Sequence, residues 1–167
     1  IMEDMRSTYG KKFTLPPIGA MIEMPSTIWQ LDEILDEVDY ISIGTNDLVQ
    51  YLFAVDRGNS RVENYFKPMH PIVIKALRHI VKRANKKGKG VSICGEVAGN
   101  PLFLPLLLGV GLKELSMPAL LMSKVKPLIA KVKVSECRSL VNRVVKFKTE
   151  HEVHEEVMDF MAKRKLL

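Results

Sequence analysis

The sequence is poor in cysteine and has no long apolar run. Its two cysteines, Cys94 and Cys137, are too few for a disulfide framework, which favours a reducing compartment. The longest apolar run, residues 101–108, is too short to span a bilayer and contains prolines, and no signal-peptide pattern opens the chain. These absences argue against a disulfide-stabilised secreted module and against a membrane protein. We therefore expect a cytoplasmic protein with no membrane partner.

Aromatic side chains are also scarce, at 7% of the residues, and this weakens one interpretation of the charge. The net charge is +6, and the densest run of lysine and arginine lies in residues 75–90. A basic surface could bind nucleic acid, but this run has no aromatic side chain on which bases could stack. The favoured interpretation is a solvated helix face, and no nucleic-acid partner is expected.

What the sequence does have is enough apolar material for one folded domain. Its 167 residues are 47% hydrophobic and 26% charged, which is typical of a globular chain with a sizeable core. Residues 1–10 look like a helix already under way, and Ile1 is not a natural start. Together they predict that the chain is a piece of a longer protein.

Short apolar segments alternate with longer amphipathic ones, and this alternation predicts a parallel α/β sheet. Strands are expected at residues 18–24, 40–44, 90–95 and 112–117. Helices are expected over residues 26–38, with Ser26 or Thr27 as the N-cap, and over residues 71–87, 101–108, 123–132 and 135–164.

Polar side chains follow three of these strands at the point where each strand ends. Glu23 ends the first, Asn46 and Asp47 end the second, and Cys94, Gly95 and Glu96 end the third. The carboxyl ends of parallel strands meet at one edge of a sheet, where α/β proteins place their sites. The pattern predicts a functional site at this edge.

Two of these residues suit a metal ion. Glu23 and Asp47 offer hard oxygen ligands from neighbouring strands, as Mg²⁺ or Mn²⁺ requires, although carboxylates at strand ends also serve as helix caps. Arg57 presents a planar fork suited to phosphate or carboxylate, and the alternative is a surface ion pair with Asp56.

The remaining candidates are cysteines and histidines. Cys94 could do acid–base work beside Glu96, or it could be a buried inert thiol. Cys137, inside an amphipathic helix, is interpreted as filling either the core or the surface. His151 and His154 have helical spacing for a metal, but no third ligand follows, so a solvated helix is favoured.

Four longer motifs carry a resemblance to a known family. The segments "IGAMIEMP", "DYISIGTNDLVQYLFAVDRGN", "VSICGEVAGNP" and "LLLGVGLKELSM" resemble, in order and spacing, the phosphoenolpyruvate-binding barrel of Enzyme I of the bacterial phosphotransferase system. The wider superfamily includes pyruvate phosphate dikinase and phosphoenolpyruvate synthase, but "AVDRGN" and "CGEVAGNP" are more similar to Enzyme I. The segments "HPIVIKALRHIV" and "EVHEEVMDFMAKR" resemble its nitrogen-branch form.

The resemblance implies a fold and a domain organisation. Residues 1–130 would form the C-terminal half of a (β/α)8 TIM barrel of the phosphoenolpyruvate/pyruvate-binding superfamily. Residues 131–167 would form a C-terminal helical extension packed on it. A complete barrel of this kind needs roughly 250 residues, and the sequence supplies about four strands.

The resemblance also implies roles for the strand-end residues. Glu23 and Asp47 match the ligands of Mg²⁺, and Asn46 and Arg57 match groups that hold the phosphate of phosphoenolpyruvate. Cys94 matches the acid that protonates C3 of the enolate, so that pyruvate is formed.

The implied activity is that of a phosphoenolpyruvate–protein phosphotransferase, which passes phosphate to its own histidine and then to a small carrier protein. That histidine is expected outside this chain, because His70, His79, His151 and His154 lack the glycine-rich surroundings of the family's histidine. Further phosphate-binding arginines are expected upstream of residue 1.

An alternative function is that of a catalytically silent module for dimerisation and ligand binding. Half a barrel leaves two sheet edges and an apolar inner layer exposed. Ile22, Ile41, Ile43 and Ile93 are expected to alternate toward that layer or toward the helices. We therefore expect a homodimer or higher oligomer that has no phosphotransfer activity by itself.

Overall fold

The predicted parallel sheet is confirmed. The computed structural model describes residues 2–10 and 16–166. Within these residues the four strands lie side by side, all parallel, in the order β1-β2-β3-β4. Their bounds are β1 Gly19–Ile22, β2 Tyr40–Gly44, β3 Gly90–Cys94 and β4 Glu114–Leu115. The fourth strand is much shorter than residues 112–117, the predicted range, because only Ser92 and Ile93 of β3 pair with it.

The helices between and after these strands make the fold an α/β structure with ten described α-helices. They are α1 Met2–Tyr9, α2 Pro25–Trp29, α3 Leu31–Glu37, α4 Thr45–Phe53, α5 Pro71–Lys86, α6 Glu96–Gly99, α7 Leu104–Val110, α8 Ala119–Ile129, α9 Val134–Val144 and α10 Glu150–Ala162. A single 3-10 turn, Glu63–Tyr65, lies between α4 and α5.

Several helix boundaries differ from those that the sequence patterns predicted. The expected helix over residues 26–38 is two helices, α2 and α3, and its N-cap is Met24 rather than Ser26 or Thr27. Proline has no N–H to leave unpaired and its φ suits the first helical position, so the helix begins one residue earlier, at Pro25. The helix expected over residues 101–108 begins instead at Leu104, and the short α6 precedes it.

The C-terminal segment is also divided. Residues 135–164 were expected to be helical, and they contain all of α9 except its first residue and all of α10, separated by residues 145–149. Thr149 starts α10 with a reciprocal capping box, in which its side chain accepts from the Glu152 N–H while Glu152 accepts from the Thr149 N–H. The Thr149 hydroxyl also donates to Glu152 Oε2 at 2.8 Å, and this bond, together with those from the Lys148 and Thr149 N–H groups, holds the pKa of Glu152 below its usual value.

One face of the sheet carries the core. Ile22, Ile41, Ile43 and Ile93 are all fully buried, and the register places them on the same face. Buried side chains of α5, among them Leu77, belong to the same core. The four isoleucines therefore face the helices, because side chains of a strand alternate between its two faces.

The opposite face of the sheet is not the apolar layer that we expected. Its central positions are Ser42 and Ser92, both half-buried, and Met21 and Tyr40 are 48% and 43% exposed. Cys94 ends β3 on this same face. The open face thus carries small and polar side chains at its centre, together with the larger side chains of Met21 and Tyr40.

Helix α9 packs on the body of the domain through α7, and α10 packs against α9. A side-chain methyl at Gly109 would meet the backbone of Cys137 and would lie 2.6 Å from Val141, so the helices α7 and α9 approach at a residue without a side chain. Cys137 is fully buried there, and burial raises the pKa of its thiol to about 11. This cysteine therefore fills the core, one of the two alternatives that the sequence left open.

The lysine-rich segment forms the amphipathic helix α5. It buries most of its apolar residues and exposes Lys75, Arg78 and Lys82, while Lys87, just after its end, binds the carboxylate of Asp36 at 2.5 Å. None of the described helices combines the length and the apolar character that a membrane span requires.

Candidate active site

The site is built where β2 and β3 end side by side. Gly44 and Cys94 are register partners at these ends, and β2 runs directly into α4 without a loop. The side chain of Thr45, at the first position of α4, is 1% exposed and its hydroxyl donates to the Cys94 carbonyl at 2.7 Å. This bond fixes the start of α4 against the end of β3.

Glu23 reaches the same edge from the neighbouring strand. Its Oε2 would lie 2.9 Å from a methyl group built on Gly44, and the Met21 sulfur would lie 3.2 Å from it. The carboxylate therefore covers the end of β2, just before the turn of helix that carries Asp47. The lack of a side chain at Gly44 is what leaves room for it.

Asn46 links the ends of β2 and β3 through its side chain. Its Oδ1 accepts from the Glu96 N–H at 3.2 Å. Gly95, which joins the end of β3 to the start of α6, adopts φ +100 and ψ −177, a region that is open in practice only to glycine. A methyl there would collide with the Thr45 hydroxyl and lie 2.9 Å from Asn46 Oδ1.

We expect Gly95→Ala to disrupt this edge. The strained backbone alone costs of order 1–3 kcal/mol, and the collision pushes Thr45 and Asn46 out of place. Thermal unfolding of the variant should show a clear loss of stability. Gly88→Ala is the matched control: Gly88 also has a positive φ, but a methyl there meets nothing within 4 Å, so only the backbone cost remains. Equal losses in the two variants would contradict a crowded edge at Gly95.

A cavity of about 680 Å³ opens beside this edge. Asp47, Arg57 and Glu96 are among its lining residues, whereas Glu23, Asn46 and Cys94 are not. The Arg57 guanidinium lies 3.7 Å from the Glu96 carboxylate. The sequence had offered Asp56 as the ion-pair partner of Arg57. Arg57 instead pairs with Glu96, which follows the end of β3. Asp56 accepts a hydrogen bond from the Gly58 N–H at 2.8 Å.

Cys94 stands on the open face of the sheet, half-buried. Its thiol lies 3.5 Å from the carbonyl oxygen of Ile43, to which it donates, and 3.9 Å from the sulfur of Met21. The Ser42 hydroxyl donates to the same sulfur at 3.9 Å. The thiol is thus accessible and held by several neighbours, unlike the sealed thiol of Cys137.

The two carboxylates fit a magnesium ion by their chemistry. Glu23 and Asp47 are half-buried oxygen donors from neighbouring strand ends, and Mg²⁺ is usually bound by one or two carboxylates together with substrate phosphate and water. Among the described residues no group of three or more His, Cys, Asp or Glu side chains is arranged to hold a metal. An ion bound by Glu23 and Asp47 would therefore need further ligands, such as substrate phosphate and water.

A second groove, of about 710 Å³, lies away from these residues. Its lining includes His70, His151 and His154, and none of the five predicted site residues. His151 is 79% exposed and lies 3.3 Å from Glu155 on its own helix. This is the solvated helix that the sequence favoured.

Three residues at this edge and on the open face, Ser42, Ser92 and Thr45, were not among the site residues predicted from the sequence. A signal was present for the two serines: each is the polar residue in the middle of an otherwise apolar strand, "YISIG" and "GVSIC". Only the register shows that they are neighbours.

The fold and the edge define a domain that matches a known family. The family model of the PEP-binding domain of PEP-utilising enzymes matches residues 2–134, and the chain belongs to this family. The family forms a TIM barrel, and four parallel strands of this chain agree with that architecture.

Homologues narrow the class within this family. The chain is 36% identical over 161 residues to a protein named phosphoenolpyruvate-dependent phosphotransferase system from Escherichia coli, covering 96% of this chain and 22% of that protein. It is 42% identical over 136 residues to multiphosphoryl transfer protein 1 of E. coli, covering 81% and 16%. It is 39% identical over 137 residues to the phosphoenolpyruvate-protein phosphotransferase of Chlamydia trachomatis, covering 82% and 24%. The chain thus spans about a fifth of the length of these relatives, and the predicted resemblance to Enzyme I is confirmed.

Proposed function

We propose that this chain supplies the second half of the phosphoenolpyruvate-binding barrel of a phosphoenolpyruvate–protein phosphotransferase. In this activity phosphate passes from phosphoenolpyruvate to a histidine outside the chain and then to a small carrier protein in the cytoplasm. One observation carries the proposal: Asp47 and Arg57 line a single cavity at the strand edge where Cys94 also stands.

Arg57 and the start of α4 are suited to the phosphate group. The guanidinium can exchange its exposed partner Glu96, 85% accessible to solvent, for phosphate oxygens, to which it can bond through two N–H groups at once. Asn46 lies in the first turn of α4, whose unpaired N–H groups attract anions. Together they would orient phosphoenolpyruvate over the edge of the sheet.

Glu23 and Asp47 are the residues that would hold Mg²⁺. When bound, the ion would neutralise charge on the phosphoryl group and on the enolate. Asp47 also stabilises the N-terminus of α4 as a negative charge in its first turn, so its structural and functional roles are compatible.

Cys94 is the residue that would release a proton. Loss of the phosphoryl group leaves the enolate of pyruvate, and the S–H bond breaks as the C3–H bond forms, with the electron pair staying on sulfur. Because Cys94 is at the end of β3 and on the open face, its thiol can reach a substrate held at this edge. Arg57 and Cys94 thus act on opposite ends of one small molecule.

The proposal predicts that Arg57→Ala weakens phosphoenolpyruvate binding. Loss of a charged hydrogen bond costs about 1.5–3 kcal/mol, so the KM for phosphoenolpyruvate should rise about 10- to 100-fold in the protein as it is naturally expressed. The measurement is pyruvate release with Mg²⁺ present, alongside phosphohistidine formed from radiolabelled phosphoenolpyruvate. Arg61→Ala, which removes an exposed arginine four residues away, is the matched control and should leave KM unchanged.

A parental KM in Arg57→Ala would contradict the assigned role. The two candidate functions are separated in the protein as it is naturally expressed, where a phosphotransferase forms phosphohistidine and releases pyruvate and a silent platform does neither. Radiolabelled phosphoenolpyruvate given to these 167 residues alone tests only where the accepting histidine lies, because both functions predict no label there. A catalytically silent platform is supported by the sheet edges at β1 and β4, which no other strand of the described residues pairs with and which two copies could cover in a homodimer. It predicts that the chain binds phosphoenolpyruvate with no label on any of its own histidines. Label on one of them would refute the proposal that the accepting histidine lies elsewhere.

A further inference from the structure

Three side chains on the open face of the sheet form a continuous hydrogen-bonded chain. Ser42 and Ser92 are register partners at the centre of β2 and β3, and the Ser92 hydroxyl donates to the Ser42 hydroxyl at 3.1 Å. The Ser42 hydroxyl in turn donates to the Cys94 sulfur at 3.9 Å, a separation that the large radius of sulfur permits. All three side chains are half-buried. The chain of hydroxyl groups ends on the thiol that the proposed reaction uses.

The direction of these bonds matters. Ser92 fills one lone pair of the Ser42 oxygen with its own proton, which leaves the proton of Ser42 for the sulfur. The thiol proton is not needed for this bond, and it points to other acceptors, of which the Ile43 carbonyl is the nearest at 3.5 Å. The thiol can therefore give up its proton without breaking its bond to Ser42.

We propose that Ser42, oriented by Ser92, is a positioning residue that stabilises the thiolate of Cys94 as the thiol protonates the enolate. The inference rests on the proposed function for its catalytic part. Neither serine touches the reacting carbon in this proposal. Ser42 acts through the sulfur, and Ser92 acts through Ser42.

The chemical reason is the change of charge on sulfur. When C3 of the enolate takes the proton, the S–H bond breaks and its electron pair remains on sulfur as a thiolate. A hydrogen bond to an ionised acceptor is roughly twice as strong as one between neutral groups. The bond from Ser42 therefore stabilises the charged sulfur more than the starting thiol, and only such a differential interaction accelerates a step.

A purely structural role is the competing explanation. Paired serines on adjacent strands stabilise a sheet by roughly 0.2–1 kcal/mol, with or without a thiol nearby. That role predicts a change in stability alone. The positioning role predicts a change in the behaviour of the thiol and in kcat, with KM for phosphoenolpyruvate unchanged, because neither serine lines the cavity that holds Arg57.

The experiment compares three variants and one control in the protein as it is naturally expressed. Ser42→Ala removes the donor to sulfur, Ser92→Ala removes the group that orients it, and Ser42→Thr keeps a hydroxyl. Tyr40→Phe is the control, since it removes a hydroxyl from the same open face at a position with no bond to the sulfur among those described. Thermal melts of each variant report any loss of folding.

The first readout is alkylation of Cys94 by iodoacetamide at neutral pH, followed by mass spectrometry of the Cys94 peptide. A hydrogen bond is worth about 0.5–1.5 kcal/mol, so Ser42→Ala should slow alkylation about 3- to 10-fold. Ser92→Ala should slow it less, Ser42→Thr should restore it, and Tyr40→Phe should not change it. The Cys137 peptide is an internal reference, because that thiol is buried.

The second readout is pyruvate release, where Ser42→Ala should lower kcat about 3- to 10-fold with KM unchanged. Parental alkylation in both alanine variants overturns the inference and leaves the serines as a structural pair. Slower alkylation with a parental kcat overturns the catalytic part. If the unaltered protein releases no pyruvate from phosphoenolpyruvate, the proposed function has failed, and the alkylation series still decides whether Ser42 controls the thiol.

Discussion

Replacement of Cys94 by alanine is expected to lower pyruvate release by about 10²- to 10⁴-fold, the usual contribution of a positioned general acid. The thiol stands at the end of β3 on the open face, and its neighbours are Ser42, Met21 and the Ile43 carbonyl. None of these can supply a proton as readily as a thiol. Binding of phosphoenolpyruvate should be largely preserved, because Cys94 does not line the cavity that holds Asp47 and Arg57.

The measurement separates binding from turnover. Phosphoenolpyruvate affinity is followed by titration calorimetry, and pyruvate is followed by a coupled assay in the same preparations. Cys137→Ala is the matched control, since it removes the other thiol from a sealed position in the core and should keep the parental kcat. Pyruvate release at the parental rate from Cys94→Ala would show that this thiol is only packing.

Replacement of either carboxylate at the strand edge is expected to weaken magnesium-dependent phosphoryl transfer severely. Glu23→Gln and Asp47→Asn each keep the shape of the side chain and remove the charge that a small hard cation requires. Loss of a group that merely supports a metal ligand costs about 10- to 100-fold, so loss of a direct ligand should exceed about 100-fold in the magnesium concentration that gives half-maximal activity.

The test is a magnesium titration of phosphohistidine formation in each variant. Glu33→Gln supplies the control, because Glu33 is an exposed carboxylate in the first turn of α3, away from the strand edge. Asp47→Asn should also slightly weaken α4, where the charge lies near the positive end of the helix, and a thermal melt measures that part separately. Unchanged magnesium dependence in both variants would rule the two residues out as ligands.

The strands were predictable because a buried strand is encoded by a short run of apolar residues. Residues 40–44 and 90–94 each read as short apolar runs, and both are strands with fully buried isoleucines. The boundaries of helices were less predictable. Pro25 begins α2 ahead of the expected cap, and the fourth strand is reduced to two residues because only Ser92 and Ile93 pair with it.

The sequence pattern did not show which face of each strand packs against the helices. Alternation shows that Ile41 and Ile43 share a face, but it does not show which face the helices cover. The structure places the isoleucines against the helices and leaves Ser42 and Ser92 on the other side. The expected apolar inner layer was wrong for this reason.

By itself, the sequence determined where the strands lie along the chain and which residue types stand at their ends, because both depend on short runs of adjacent residues. Only the tertiary structure decided that Arg57 pairs with Glu96, that Thr45 and Asn46 crowd Gly95, and that Ser92, Ser42 and Cys94 share a chain of hydrogen bonds. The two residues in each of these contacts lie about 40 to 50 positions apart along the chain. Ser92 and Cys94 are close in sequence, but each is bonded to Ser42 on the neighbouring strand. Their meeting depends on the register of β2 against β3, and a slip of one residue would turn each side chain of a strand to the opposite face.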